Sequence, residues 1–219
     1  MADPRYVQFG CGLAAPADWL NFDSSPRLWL ERVPGVGAAA GALGKRLFPG
    51  NVVFGDIVAG LPVADGSADG VYSSHVLEHL GREDIAKALT NTFRMLKPGG
   101  VFRVIVPDLH WRAARYVRDH GTLAAADAFV SSTHFAGTKR VRGPVQMLRS
   151  AFGNSGHAWL YDEVLLTRLL TEAGFTGIRR CTFNDSGDPM FTQVEDRGRF
   201  FDSGEAELAL EARRPQSAA

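Results

Sequence analysis

Tyr6-Val7-Gln8-Phe9-Gly10-Cys11-Gly12 reads as a short strand running straight into a Gly-x-Gly turn. Glycine lets such a turn take positive φ and lets a ligand lie against bare backbone. Trp19-Leu20-Asn21-Phe22 reads as a second strand tipped by Asp23, an acid placed to accept hydrogen bonds from two ribose hydroxyls. Between Gly12 and Trp19 only Leu13 to Asp18 remain, too few for a regular crossover helix, so a single turn or an irregular crossover must fill the gap. Gly10-x-Gly12-x-x-Ala15 also passes as a degenerate pyrophosphate fingerprint of a nicotinamide oxidoreductase. That fingerprint expects a helix beneath the phosphates and an acid about 20 residues on, whereas Asp23 follows Gly12 by 11 positions. A ligand without phosphates fits the spacing better.

Outward from this unit, strand and helix patterns alternate, which predicts an α/β domain with a mostly parallel, doubly wound sheet. Residues 25–49 read as two short helices broken at Pro34-Gly35. Val52-Val53-Phe54 is a third strand ending at Gly55-Asp56, and Gly70 to Ser74 is a fourth. Ile85, Leu89, Phe93 and Leu96 recur at helical spacing from Glu83 to Lys97, and Pro98-Gly99-Gly100 turns the chain into a fifth strand, Val101 to Val106. Residues 110–156 read as an insertion, helical over Trp111 to His120 and Leu123 to Ser131 and loop-like beyond. Asp162 caps a further helix whose apolar face is Leu165, Leu166, Leu169, Leu170 and Ala173, with Gly174 as its stop. Ile178 to Phe183 and Glu207 to Ala212 are the last strands.

The 219 residues suit one domain, 1–219. Hydrophobic residues at 45% and charged residues at 22% are ordinary for a packed protein, which excludes a disordered chain. Lys plus Arg equals Asp plus Glu at 24 each, so nucleic acid is a poor default partner. Cys11 and Cys181 are too few and too separated for a disulfide framework, the first residues lack a signal-peptide layout, and no apolar run is long enough to span a membrane. A cytoplasmic location is expected.

Val63-Ala64-Asp65-Gly66-Ser67-Ala68-Asp69-Gly70-Val71-Tyr72-Ser73-Ser74-His75-Val76-Leu77-Glu78-His79-Leu80, followed by Leu96-Lys97-Pro98-Gly99-Gly100, closely resembles the class I S-adenosylmethionine-dependent methyltransferases, best the branch called type 11. The resemblance covers roughly residues 6–110. It implies a Rossmann-like sheet of seven strands with the last one antiparallel, S-adenosylmethionine as cofactor and S-adenosylhomocysteine as product. It further implies that Gly10, Cys11 and Gly12 carry the backbone along the methionine part, that Asp23 binds the ribose, that Asp56 and Ile57 line the adenine pocket, and that Ser74 and His75 close the site near the sulfonium. The short connection before Asp23 departs from the family pattern. Methyl transfer to oxygen of a small-molecule or sugar acceptor in a biosynthetic pathway is the expected activity, with a protein that binds the cofactor without turnover as the alternative.

His75-Val76-Leu77-Glu78-His79 also matches H-x-x-E-H, in which two histidines on one helical face hold zinc. The motif falls at a strand-to-helix junction and no third ligand is identifiable from sequence, so no metal is expected and Glu78 and His79 read as local packing residues. A neutral histidine is a suitable base for a hydroxyl acceptor. His157 is the preferred candidate, because Gly156-His157-Ala158-Trp159-Leu160-Tyr161 joins a flexible glycine, a base and two aromatics ahead of a helix; Trp159 and Tyr161 are then expected at the substrate. His110, just past Asp108, is the second candidate. No acid occurs between Ala128 and Tyr161, while Lys139, Arg140, Arg142 and Arg149 are basic. A solvated loop explains this blandly; Arg140 and Arg142 as a lid over an anionic acceptor is the sharper expectation.

Overall fold

The computed structural model describes residues 5–42, 47–135 and 156–216. Strands β1 (Tyr6–Phe9), β2 (Trp19–Asp23), β3 (Val52–Phe54), β4 (Ala68–Ser74) and β5 (Leu96–Val106) pair in parallel. A later strand, β9 (Leu208–Arg213), runs antiparallel between β5 and β6 (Thr176–Arg180). The sheet therefore has seven strands in the order β3-β2-β1-β4-β5-β9-β6, and the small hairpin of β7 (Phe201–Asp202) and β8 (Glu205–Ala206) stands apart from it. This is the mostly parallel, doubly wound sheet with an antiparallel last strand that the sequence implied. No helix among the described residues is long and apolar enough to cross a membrane.

Strand alternation sorts the core into two layers. Phe102, Val104 and Val106 of β5 join Val7, Phe9, Val71, Leu208 and Leu210 on one face. Two helices close that face: α3 (Arg82–Met95) through Ile85 and Leu89, and α6 (Glu163–Glu172) through Leu166 and Leu170. Val101 and Ile105 point the other way and pack with Tyr6, Tyr72, Phe191 and Phe200. Between them on that second face Arg103 is 1% exposed and bonds the carboxylates of Glu195, Glu211 and Asp185. A buried guanidinium needs such partners, because an unpaired buried charge is costly.

Two short helices, α1 (Pro26–Arg32), capped by the Ser25 side chain, and α2 (Val36–Ala42), fall where the Pro34-Gly35 break put them. In the insertion, α4 (Leu109–Asp119) and α5 (Ala125–Thr133) match the expected helices, and the loop expected after them lies outside the described residues. Two boundaries differ from expectation. Helix α3 ends at Met95, because Leu96 already pairs with Ala68; Pro98-Gly99-Gly100 lies inside β5, beside a register shift between Ala68 and Gly70. Proline has no N–H for a ladder, and an irregularity of this kind accommodates it. Strand β6 stops at Arg180 rather than Phe183, after which the chain passes through a 3₁₀ turn (Pro189–Gln193) and the single-turn α7 (Arg197–Phe200).

The connection from β1 to β2 contains no helix. Its backbone polar groups are met instead by two buried amides, Gln8 and Asn21, which face each other in the parallel register. Gln8 Nε2 donates to the Ala14 carbonyl at 2.8 Å and to Asn21 Oδ1 at 2.5 Å. Asn21 Nδ2 donates to the carbonyls of Pro16 at 3.0 Å and Trp19 at 2.8 Å. Side chains supply here what a helix would supply to itself.

Candidate functional site

The carboxyl edge of the sheet gathers the glycine turn and the strand tips. Gly10 has φ +67° and a Cβ there would come within 2.1 Å of Val76 Cγ2, so the chain after β4 presses on bare backbone. Gly12 has φ +55°, and a Cβ there would meet nothing within 4 Å, which makes it an open face along which a ligand can lie. Asp23 holds this turn: Oδ2 accepts from Gly12 N–H at 2.9 Å and Oδ1 from Ser25 N–H at 2.8 Å. Each carboxylate oxygen keeps further lone-pair capacity for incoming hydroxyls. Burial, then the Asp23 charge, push the Cys11 thiol up to about 12. Asp56 is exposed and its Oδ1 accepts from Val58 N–H at 2.9 Å. The Ile57 side chain packs into the core, and its carbonyl accepts from Asn91 Nδ2 at 2.8 Å.

Past Ser74, which is buried at the end of β4, His75 takes a left-handed conformation (φ 55°). Its Nδ1 meets Glu78 Oε1 at 3.2 Å and its Nε2 meets the Arg199 carbonyl at 2.9 Å. Both partners accept, so the doubly protonated ring fits the geometry. Burial alone would lower its pKa, but the Glu78 hydrogen bond and charge raise it overall. His75 lines a pocket of about 360 Å³ with Pro107, His134, His157, Arg112, Arg199 and others. In the pocket wall Arg112 is 2% exposed and bonds both oxygens of Glu207 at 2.7 Å and Asp202 at 2.9 Å. Burial would raise the Glu207 pKa, but Arg112 and the Asp108 N–H hold the carboxyl below its ordinary range.

An S-adenosylmethionine-shaped demand on this edge is a bare backbone groove, an acid at the second strand tip and no phosphate cradle. Gly10, Gly12 and Asp23 meet it. Residues 7–104 match the family model described as a methyltransferase domain, type 11. That stretch, a little under half of the chain, is therefore similar to the type 11 methyltransferase domains. Among solved structures, the chain is similar in fold to a SAM-dependent methyltransferase from Methanosarcina mazei (16% identity, 99% of this chain and 95% of that one covered, TM-score 0.53). It is likewise similar to one from Archaeoglobus fulgidus (14% identity, 97% and 86% covered, TM-score 0.53). A third, from Thermotoga maritima, is described as a possible histamine N-methyltransferase (16% identity, 98% and 84% covered, TM-score 0.50). No curated protein sequence matches the chain.

Of the described residues expected at the acceptor, only His157 lines the pocket. His110 is exposed at the start of α4, bound through its N–H to Asp108 Oδ1, and does not line the pocket. Tyr161, expected to touch substrate, is instead fully buried: it bridges to Asp108 as a strand would and its hydroxyl donates to the Leu77 carbonyl at 3.0 Å. Trp159 is half-buried against the core, with the Arg82 guanidinium 5.4 Å from its ring. Both aromatics serve packing because the segment carrying them is drawn onto the turn at Leu77–His79. Arg140 and Arg142 lie outside the described residues. The H-x-x-E-H pair does not form as in a zinc peptidase. Residues 77–79 make a single 3₁₀ turn after a left-handed residue, so His75 and His79 do not share a helical face. Sequence reasoning passed over Arg112, Arg199 and Glu207. The available signal was an acid, Glu207, abutting the apolar run Leu208-Ala209-Leu210, since carboxylates are seldom buried without a partner.

Proposed function

We propose that this protein is an S-adenosylmethionine-dependent methyltransferase that modifies an oxygen of a small-molecule or sugar acceptor entering the pocket walled by His75, His134 and His157. The observation that carries this reading is the pocket's position: His75 follows directly on Ser74 at the end of β4, and Pro107 follows directly on Val106 at the end of β5, so the pocket adjoins the carboxyl edge that bears the glycine turn. Bound there, S-adenosylmethionine supplies a methyl group activated on a sulfonium. The backbone of Gly10, Cys11 and Gly12 runs along its methionine part, Asp23 accepts from the ribose hydroxyls, Asp56 and the Ile57 backbone flank the adenine, and Ser74 and His75 border the reacting end. His157 accepts a hydrogen bond from the acceptor hydroxyl and orients it. Rate enhancement comes mainly from in-line positioning and exclusion of water.

An anionic acceptor is favoured by Arg199, which lines the pocket, and by the basic run containing Arg140 and Arg142, since residues 136–155 connect two pocket residues, His134 and His157. The balanced charge supports a cytoplasmic small-molecule enzyme over a nucleic-acid modifier. Calorimetric titration with S-adenosylhomocysteine is the first test: one saturable site, weakened roughly 10- to 100-fold in Asp23→Ala through loss of charge-assisted hydrogen bonds. Incubation of an acceptor panel with methyl-labelled cofactor is the second. Label on nitrogen or carbon with none on oxygen overturns the acceptor reading.

A further inference from the structure

Glu78, His79 and His157 come together where two backbone segments are sewn to each other. The Glu78 carbonyl accepts from the N–H groups of Ala158 at 2.7 Å and Trp159 at 3.0 Å. His79 Nδ1 bonds the Gly156 carbonyl at 3.1 Å, and the His157 N–H donates to the His134 carbonyl at 3.1 Å. One potential ligand atom from each of the three side chains lies within 4.8 Å of the other two. The His157 ring stands edge-on to His79, with centroids 5.0 Å apart, and to His134 at 5.1 Å.

Local packing leaves part of this cluster unexplained. Glu78 is 0% exposed; His75 satisfies its Oε1, while its Oε2 has no hydrogen-bond partner among the described residues. Nδ1 of His157 is buried and likewise without a partner. A carboxylate oxygen and a ring nitrogen left unmatched in one buried cluster are both Lewis bases, and burying either unmatched is costly. The surroundings arrange the donors further. The Gly156 carbonyl can only accept, so its bond puts a proton on His79 Nδ1. His75 holds the other carboxylate oxygen. Metal-binding histidines and carboxylates are oriented by outer partners of this kind.

We propose that Glu78, His79 and His157 bind a divalent transition-metal ion of the zinc class at the wall of the acceptor pocket. Two imidazoles and one carboxylate form a donor set of catalytic zinc, which keeps further positions for water or substrate. Magnesium and calcium favour all-oxygen sets. Bonds of about 2.0–2.2 Å put ligand atoms roughly 3–4 Å apart, so a modest inward turn of the side chains closes the set. His157 lines the pocket, so the ion would sit beside it. A hydroxyl bound to the ion loses its proton more readily. Oxygen then takes the methyl group as the sulfur–carbon bond breaks, the proton leaves to solvent and the ion keeps its charge. His157 in this arrangement serves the acceptor through the ion. That last role rests on the proposed acceptor chemistry; the binding of the ion does not.

The test uses tag-free, chelator-stripped enzyme, titrated with Zn²⁺ by calorimetry and with Co²⁺ by visible absorption. One equivalent of each should bind, Co²⁺ giving the intense bands of a low-coordinate site. Glu78→Gln and His157→Gln should each weaken binding at least tenfold, with folding followed by circular dichroism and His79→Asn as a third variant should either fail to fold. Absence of saturable binding in folded wild type, or undiminished affinity in folded variants, overturns the proposal. S-adenosylhomocysteine is titrated into the same metal-free protein: its binding without metal binding sinks the metal site alone, and metal binding without it supports the site while sinking the cofactor assignments.

Discussion

Two crossovers in this sheet do the same topological task by different physics. From β4 to β5 the chain uses α3, whose backbone satisfies itself and whose Ile85, Ala88, Leu89 and Met95 are buried against the sheet. From β1 to β2 it uses residues 10–18 with no helix, and Gln8 and Asn21 reach out of the strands to bond the carbonyls of Ala14, Pro16 and Trp19. The first is held by apolar area, which is non-directional and tolerant of detail. The second is held by a few directional bonds in a buried setting, where losing one leaves others unmatched. The difference matters for the proposed function, because the directional crossover carries Gly10 and Gly12 and ends on the strand tipped by Asp23.

Substitutions can separate these modes. The largest loss is expected from Leu89→Ala, which opens a cavity beneath α3: about 2–5 kcal/mol of stability by urea denaturation, with affinity for S-adenosylhomocysteine essentially unchanged. Asn21→Ala should cost less, about 1–3 kcal/mol, yet weaken S-adenosylhomocysteine roughly tenfold as the crossover that follows the glycine turn loses its anchor. Affinity untouched in Asn21→Ala would break the contrast. Gly12→Ala comes next: positive φ without glycine costs about 1–2 kcal/mol, and the methyl group enters space open to ligand, so affinity should fall more than stability. The smallest effect is on pH dependence. Glu207 is held below its ordinary range by Arg112, so its contribution is full above the unfolded value of about 4.3 and is lost as pH falls through the folded one. Acid denaturation curves should therefore be shallower for Glu207→Gln, whereas the Asn21→Ala deficit, resting on neutral amides, should stay constant from pH 8 to 4.

What could be read in the chain follows the same division. Strand ends marked by Gly10-Cys11-Gly12, Asp23 and Gly55-Asp56, and the helical period of Ile85, Leu89 and Phe93, are local signals, and the elements they announced are present. The shortage of residues between Gly12 and Trp19 announced an irregular crossover, but nothing local said that Gln8 and Asn21 would hold it; their pairing exists only in the register of β1 with β2. Tyr161 looked like a pocket aromatic because it lies two residues beyond Trp159 and four beyond His157. Its burial comes from a bridge to Asp108, 53 positions away. Glu78 and His79 read as local packing because their third companion, His157, is 78 residues distant. Local periodicity carries the scaffold, while the acceptor side of the site is assembled from long-range contacts.

The two thiols have a practical consequence. Cys11 and Cys181 are 6% and 5% exposed, unpaired with each other, and burial is the largest influence pushing each up to about 12. Thiolate is the reacting form, so at neutral pH both side chains stay protonated and shielded. The wild-type protein thus offers a nearly silent background for maleimide chemistry. A single cysteine introduced at an exposed position such as Leu123 can carry a fluorophore or spin label while the glycine turn beside Cys11 remains unmodified.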